Sequence, residues 1–370
     1  MSRREADVAL LLPNVEGGGA ERVMVQIASG LAERGHRVDL VLGRARGRYL
    51  AEIPTEVTVV ELGVDRALAC LPGLVKHIRR SRPRALLSTM NHVNPVAIAG
   101  ARLSATGTRV VVREASNLSG QMRDVDTRRG RLTPLAIRMT YPWAHEVVAV
   151  SEAAKRDLVV HSGLDPHAIE VVYNPVDFDA LEQAAAQASG HPWLDDGARP
   201  VILAVGRLSA EKDFPVLLEA FARLVSRSGP RLVLCGEGPE RARLEARIAE
   251  LGIEDDVQLV GFVDNPYAYI ARAKVFTLPS RWEGLPNTLI HALALGARVV
   301  ATDCPGGSAE ILEGGRWGAL VPVGRADELA VALGRALAEP ESVHPDAAWR
   351  KRFEAGEVVR RYEALLGLGG

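Results

Sequence analysis

Thirteen short and nearly unbroken apolar runs constrain this chain more than any other feature. Seven fall in its first half: "VALLLPN", "HRVDLVL", "VTVVEL", "ALLSTM", "TRVVVRE", "EVVAVS" and "IEVVYNPVD". Six more follow residue 199: "PVILAVGRL", "RLVLCGEG", "DVQLVGF", "AKVFTLPS", "ARVVATD" and "GALVPV". A sheet with one wet face would alternate apolar and polar residues. Runs this continuous suit strands covered on both faces, laid parallel and joined by helical crossovers. The intervening stretches, such as "DFPVLLEAFARLVSR", are amphipathic at helical spacing. Around residues 184–199 the text turns small, polar and turn-rich, "AAAQASGHPWLDDGARP", which reads as a linker.

At 370 residues the chain exceeds what one hydrophobic core usually serves, and the pattern restarts after the linker. Two α/β domains with parallel sheets, facing each other, are therefore expected. The boundaries read as 1–185 for the first domain, 186–199 for the linker and 200–345 for the second domain. A helical tail, 346–370, is expected to pack back on the first domain. Three cysteines, Cys70, Cys235 and Cys304, show neither paired nor metal-ligand spacing. They read as small buried hydrophobes in a reducing compartment. No run approaches the roughly 18 consecutive apolar residues of a membrane span, and the start reads as a first strand rather than a secretory signal. A cytoplasmic protein is expected.

In open parallel sheets, ligands sit beyond the carboxyl ends of the strands, and several of those ends carry unusual residues here. "NVEGGGAER", Asn14 to Arg22, puts three glycines between a strand and a helix, where backbone amides can approach an anion. A flexible turn is the alternative reading. Neither this loop nor "GEGPER" completes a dinucleotide fingerprint, since Arg22 and Arg241 stand where the third glycine belongs. In "GRLSAEKDF", residues 206–214, Arg207 and Lys212 flank a tight turn and can converge on one anionic group. Two solvated loop cations are the alternative. In "SRWEGLPNTLIHALALG", Gly284 permits close backbone approach, Pro286 suits the first position of a helix, and the amides of 285–288 form an anion site. Glu283 beside them suits hydroxyl groups. Two cations, helix-end amides and a neighbouring carboxylate together describe a diphosphate joined to a polyol, hence a nucleotide-sugar site.

The ordered set "GGGAERV", "AVSEAAKRDLV", "VYNPVD", "VGRLSAEKDF", "LCGEGPERARLE" and "LVGFVDNPYAYIARAKVFTLPSRWEGLPNTLIHALALGARVVATDCPGG" resembles glycosyltransferase family 4 over nearly the whole chain. The resemblance implies two facing Rossmann-like domains with a cleft between them, the GT-B fold. It implies a retaining hexosyltransferase that moves a sugar from a nucleotide sugar, with UDP the expected nucleotide. The acceptor would be a hydroxyl of a glycan or lipid-linked molecule. Arg207 and Lys212 would hold the diphosphate and Glu283 the sugar hydroxyls, and these three would carry catalysis. Gly284, Leu285, Pro286 and Asn287 would form the phosphate-binding helix entrance, and the backbone near Gly261, Phe262 and Val263 would meet the base. Gly18, Gly19, Gly206 and Gly236 would complete the donor site. No cofactor and no metal are implied, since protein cations take the charge. One position departs from the pattern: His291 stands where the family places a second glutamate for the ribose. An imidazole can accept one hydrogen bond and donate another, but cannot accept from two hydroxyls at once. A donor-binding subunit without transferase activity, or a nucleotide-sugar epimerase or sugar phosphorylase, are the alternative readings.

Other residues fill out the picture. His92 and Glu114 follow or end strands of the first domain and could orient an acceptor, while Arg113 could meet an acceptor phosphate. For His92 a capping or packing role is the alternative. Asp124 to Asp126, "DVD", matches a metal-holding Asp-x-Asp pattern but follows no apolar strand and sits among arginines, so it reads as solvated charge. Residues 66–138 carry 14 Lys and Arg against 3 Asp and Glu, although the whole chain is at −1. Mixed with Leu, Ile, Met and Trp143, that charge suits anionic lipid headgroups. No nucleic-acid motif accompanies it, and a solvated basic face is the alternative.

Overall fold

The computed structural model describes residues 6–124, 128–226, 229–339 and 343–369. The chain divides into two compact units, residues 1–175 with 351–370 and residues 176–350. Each is built on one parallel sheet, and every expected apolar run forms a strand. The first sheet contains β1 (Val8–Leu12), β2 (Val38–Leu42), β3 (Val57–Glu61), β4 (Ala85–Thr89), β5 (Arg109–Glu114), β6 (Glu146–Ala149) and β7 (Ile169–Val171). Its order is β3-β2-β1-β4-β5-β6-β7, parallel throughout. The second contains β8 (Val201–Val205), β9 (Arg231–Cys235), β10 (Val257–Gly261), β11 (Val275–Leu278), β12 (Arg298–Thr302) and β13 (Ala319–Val321), in the order β10-β9-β8-β11-β12-β13. These pairs are parallel as well. Both are therefore Rossmann-like α/β domains.

Continuity of the apolar runs follows from burial on both faces. All five residues of β1 are buried, as are those of β12, while the edge strand β3 alternates with exposed positions. In the first unit the helix Gly19–Glu33 lays Val23, Met24, Ile27 and Leu31 on the sheet. The helix Ala355–Leu365 contributes Val358, Val359 and Tyr362 to the same core. Gly30 makes that packing possible, since a Cβ there would lie 2.6 Å from Val359 Cγ2. In the second unit the helices Phe214–Ala222 and Ala326–Ala338 cover the sheet with Leu217, Leu218, Phe221, Leu329 and Leu333.

The first unit ends at Pro175, ten residues before the expected boundary at 185. The reason lies in the helix Phe178–Ala185. Its end is gripped by second-unit side chains: Asn265 Nδ2 donates to Ala184 O at 2.8 Å and Arg272 Nη1 to Ala185 O at 3.1 Å. The expected linker is likewise structured. Its short helix Pro192–Asp195 buries Leu194, and Asp195 pairs with Arg272 at 3.2 Å. The second unit also keeps residues up to Arg350, where Trp349 is fully buried and its indole Nε1 donates to Ile311 O at 2.9 Å.

Trp349→Ala should cost about 3–5 kcal/mol by emptying that site. Trp349→Phe should cost roughly 1–3 kcal/mol, mainly for the unpaired carbonyl. Urea unfolding followed on the second unit checks both. Equal stability of Trp349→Ala and the parent chain would contradict the packing described.

Candidate active site

An open sheet offers a ligand crevice where neighbouring strands send their connections to opposite faces. In the second unit this is between β8 and β11, and both loops leaving that point carry charge. After β8 come Gly206, Arg207 and the 3-10 turn Ala210–Lys212. After β11 come Pro279 to Pro286 and the helix Asn287–Ala294. The two loops meet through Lys212 Nζ, which donates to Glu283 Oε1 at 2.6 Å. Both side chains are mostly buried, 17% and 11% exposed. Ser280 Oγ donates to the same carboxylate oxygen at 2.6 Å from a fully buried position. Arg207, by contrast, is exposed, and its guanidinium takes part in no ion pair among the described residues.

Main-chain contacts lock this arrangement, and glycines allow them. Gly206 N donates to Cys235 O at 2.9 Å and Gly236 N to Gly261 O at 2.7 Å, joining the ends of β8, β9 and β10. A Cβ on Gly236 would fall 1.8 Å from Gly206 O, and Gly236 has φ +147°, which L side chains rarely adopt. On the other side Glu283 N donates to Pro305 O at 3.0 Å and Gly307 N to Gly284 O at 2.9 Å. Gly306 is equally necessary, since its Cβ would lie 2.3 Å from Glu283 O. Glu283 is thus held by its own backbone, by a lysine and by a serine.

Gly284, Leu285 and Pro286 are buried, and Asn287 is half-buried at the first helical position. Pro286 sits one place earlier than expected, as the N-cap, because its carbonyl already accepts from Leu289 N at 3.1 Å. No side chain caps this helix. His291 lies one turn in, half-buried, its ring edge-on to Tyr267 with centroids 5.1 Å apart at 89°. Phe262 is exposed and Val263 half-buried just beyond β10. The second unit therefore gathers Gly206, Arg207, Lys212, Gly236, Glu283 and Gly284 to Asn287 on strand-end loops of one sheet. Sequence reasoning missed Ser280 and the Pro305–Gly307 loop. The glycine pair in "DCPGG" was the available signal for the latter.

The first unit holds the remaining candidates. Gly18 is the N-cap of the helix Gly19–Glu33 and makes no side-chain cap bond. His92 follows Met90, which adopts φ +76° just after β4. Its ring is exposed in area yet close enough to protein for desolvation to lower its pKa. Arg113 and Glu114 behave differently from the expected open acceptor face: each is 1% exposed. Arg113 Nη1 donates to Thr89 Oγ1 at 3.0 Å, Nη2 donates to Asn174 Oδ1, and the Tyr362 hydroxyl lies beside the guanidinium. Glu114 accepts from Ser116 Oγ at 2.8 Å and from Tyr141 OH at 3.0 Å, and Asn94 Nδ2 reaches Tyr141 OH at 2.8 Å. Burial pushes the Glu114 carboxyl up to about 7, against the opposing pull of those hydroxyls and of Arg113. The Asp-x-Asp reading rests on Asp126 and on side chains outside the described residues. Among the described residues no cluster of His, Cys, Asp or Glu could hold a metal ion, and no helix is long and apolar enough to cross a membrane.

Comparison with known proteins agrees with this architecture. The model of Glycosyltransferase Family 4 matches residues 17–180, and that of Glycosyl transferases group 1 matches residues 199–339. Each falls on one of the two sheets, and together they span most of the chain. The chain belongs to the glycosyltransferase family 4-like proteins of GT-B type. A Campylobacter jejuni N-acetylgalactosamine-N,N'-diacetylbacillosaminyl-diphospho-undecaprenol 4-alpha-N-acetylgalactosaminyltransferase is 34% identical over 63% of this chain and 61% of its own length. The lipopolysaccharide core biosynthesis glycosyltransferase LpsE of Rhizobium meliloti is 28% identical over 95% of this chain and 91% of its own. Two further curated relatives are matched over 44% and 38% of their own length, and a second Campylobacter jejuni glycosyltransferase over 86%. Among solved structures, Anabaena Alr3699/HepE in complex with UDP and glucose superposes with a TM-score of 0.80 at 19% identity, over 98% of this chain and 100% of that one.

The Glu114 shift has a definite pH signature. Its folded pKa lies above the unfolded value, so the folded state binds the extra proton between about pH 4.5 and 7. That contribution is present at the acid end of the window and is lost as pH rises through 7. Glu114→Gln, which keeps the neutral form, should flatten the fall in stability between pH 5 and 8, by up to about 3 kcal/mol. Urea midpoints at the two pH values check it, and parallel pH profiles for parent and variant would count against a buried, raised carboxyl.

Proposed function

We propose that this chain transfers a sugar from a nucleoside diphosphate, UDP being the expected nucleotide, to a hydroxyl of a glycan or lipid-linked acceptor. Retention at the anomeric carbon is part of the proposal, as is a role in making cell-surface polysaccharide, lipopolysaccharide or glycolipid. The observation that carries it is the convergence at the β8/β11 switch point. There the Lys212 ammonium and the Glu283 carboxylate meet at 2.6 Å, on the loop that also bears exposed Arg207 and beside the entrance of the helix Asn287–Ala294. The relatives support it: the Campylobacter enzyme is named for an undecaprenol-linked acceptor, LpsE for lipopolysaccharide core, and the Anabaena protein is seen with UDP and glucose.

The chemistry follows from where charge develops. As the glycosidic bond breaks, negative charge grows on the departing diphosphate, so cations fixed beside it stabilise the transition state more than the ground state. Arg207 offers a forked contact and Lys212 a compact charge. Amides at an uncapped helix entrance add partial positive charge. Glu283, held by Lys212 and Ser280, keeps one oxygen for sugar hydroxyls. In this reading the leaving phosphate takes the acceptor proton, and protein cations carry the charge without a resident metal.

Arg207→Ala should lower turnover by about 10²–10³-fold. Because the side chain is exposed, the melting point without nucleotide should stay in place. Lys212→Ala should lose similar activity and some stability, since Glu283 is left half-paired. UDP should raise the parent's melting point and raise that of Arg207→Ala less. Full turnover in either variant would refute the assignment. The same panel separates a donor-binding subunit, which would be stabilised by UDP yet transfer nothing from any UDP-sugar.

His291 sets a further expectation. His291→Glu restores a carboxylate able to accept from two hydroxyls, and one added charge-assisted bond corresponds to roughly tenfold tighter UDP binding. Calorimetric titration reads this directly. Unchanged affinity would mean that position 291 does not face the ribose.

A further inference from the structure

The helix Ala326–Ala338 has a face that its own sheet does not cover. Leu329 and Leu333 pack inward, while Glu328, Val331, Ala332 and Arg335 line a groove of about 730 Å³ beside β13. β13 is an outer strand, bonded to β12 alone, and Ala319 on it is exposed. Val331 is 55% exposed; apart from Phe262 it is the second unit's one exposed large apolar side chain among the described residues. A lone exposed valine is ordinary, but its setting is not. The other charged side chains lining the groove are answered within the chain: Arg298 pairs with Glu339, Arg316 with Glu313 and Asp346, and Asp327 with Arg223. Arg335 is exposed and takes part in no ion pair among the described residues. Glu328 meets Arg325 at 3.1 Å, three residues back on the surface, and stays 43% exposed. Two helical turns separate Glu328 from Arg335, which puts them on one face about 10 Å apart. Val331 and Ala332 lie midway between them.

We propose that this face joins two copies of the chain, the helix Ala326–Ala338 packing antiparallel on its counterpart across a two-fold axis at Val331 and Ala332. A two-fold contact has to be complementary to itself. Reversing the helix about that midpoint sets Glu328 against the partner's Arg335, twice over, with apolar side chains facing each other between the two pairs. Acid, apolar, base in one direction is base, apolar, acid in the other, which is the order that a copy of the same face requires. The ridge from Val331 to Arg335 of each copy would enter the groove beside the other's β13, so that a helix covers the open sheet edge. A small ligand of one charge sign would meet its own sign at one end of the groove. The inference stands apart from the sugar-transfer reading, because it uses none of that reading's residues and its test does not measure transfer.

Sedimentation equilibrium of the full chain over about 1–100 µM is the test, and a monomer–dimer equilibrium is expected. Glu328→Arg sets arginines against each other across the axis and should weaken association about tenfold; Arg335→Glu sets carboxylates against each other and should do the same. Glu328→Arg combined with Arg335→Glu restores opposite charges and should return association to within about threefold of the parent. The combined variant lacks the Arg325 contact just as Glu328→Arg does, so its recovery reports a pair between copies and not a change within one helix. Val331→Asp places two carboxylates at the axis and should leave a monomer throughout the range, with the circular dichroism spectrum unchanged because the side chain is exposed. The proposal is overturned by a parent chain that is monomeric at about 100 µM, by a dimer that none of these variants weakens, or by a combined variant that associates no better than either single one.

Discussion

A lysine and a glutamate 71 positions apart in sequence are brought within 2.6 Å at the middle of the second sheet. That contact exists because β8 and β11 are neighbours while their connections leave in opposite directions. As a stabilising device it is poor. Removing two charges from water costs several kcal/mol per ion, and the attraction returns that only with good geometry and further hydrogen bonds. The second bond comes from Ser280, fully buried, on the same oxygen of Glu283. The result is a carboxylate fixed at one oxygen, Oε1, by both Lys212 and Ser280; in the proposed reading its other oxygen meets the sugar hydroxyls. Arg207 is the counterpart: it is an exposed cation on the loop of Lys212 that pairs with no carboxylate among the described residues.

Bringing two loops so near requires backbones that can touch. A side chain on Gly236 would collide with the Gly206 carbonyl and one on Gly306 with the Glu283 carbonyl, while Gly236 N bonds Gly261 O. The first unit repeats the topology and fills its strand ends differently. Around β4 and β5 it holds a buried network in which Arg113 and Glu114 are surrounded by Thr89, Asn94, Tyr141 and Asn174. Burial pushes the Glu114 carboxyl toward its protonated form, against the opposing pull of the Ser116 and Tyr141 hydroxyls and of Arg113. A fixed ion pair in one unit and a carboxyl raised by burial in the other are two outcomes of one sheet plan.

The strands were legible because burial on both faces leaves little freedom in composition: an apolar run of five to seven residues could hardly be anything else. Strand-end motifs were legible for a related reason, since glycine and charge are out of place there unless something requires them. Long-range partnership left no such mark. "VVVREASN" reads as two charges at an exposed strand end, and only the arrival of Tyr141 and Asn174, 27 and 61 residues away from their partners, explains their burial. The domain boundary failed similarly. The helix Phe178–Ala185 looks continuous with what precedes it, yet Asn265 and Arg272 claim its carbonyls. Ser280 has no local pattern at all, being one hydroxyl in a loop.

His291 shows where family resemblance and physical reading part. A glutamate at this position would carry a second negative charge eight residues from Glu283, near a group meant to hold a diphosphate. Such a carboxylate accepts from ribose hydroxyls, and that gain, the roughly tenfold expected of His291→Glu, is net of its weaker repulsion of the phosphates. A neutral imidazole removes the repulsion and keeps one acceptor and one donor. Its edge-on contact with the Tyr267 ring also restricts rotation, so less side-chain entropy is lost when a ligand is bound. The substitution therefore trades an acceptor for a better-defined, uncharged contact. In the proposed reading the donor is held mainly through its phosphates, by Arg207, Lys212 and the start of the helix Asn287–Ala294, with the ribose contributing less.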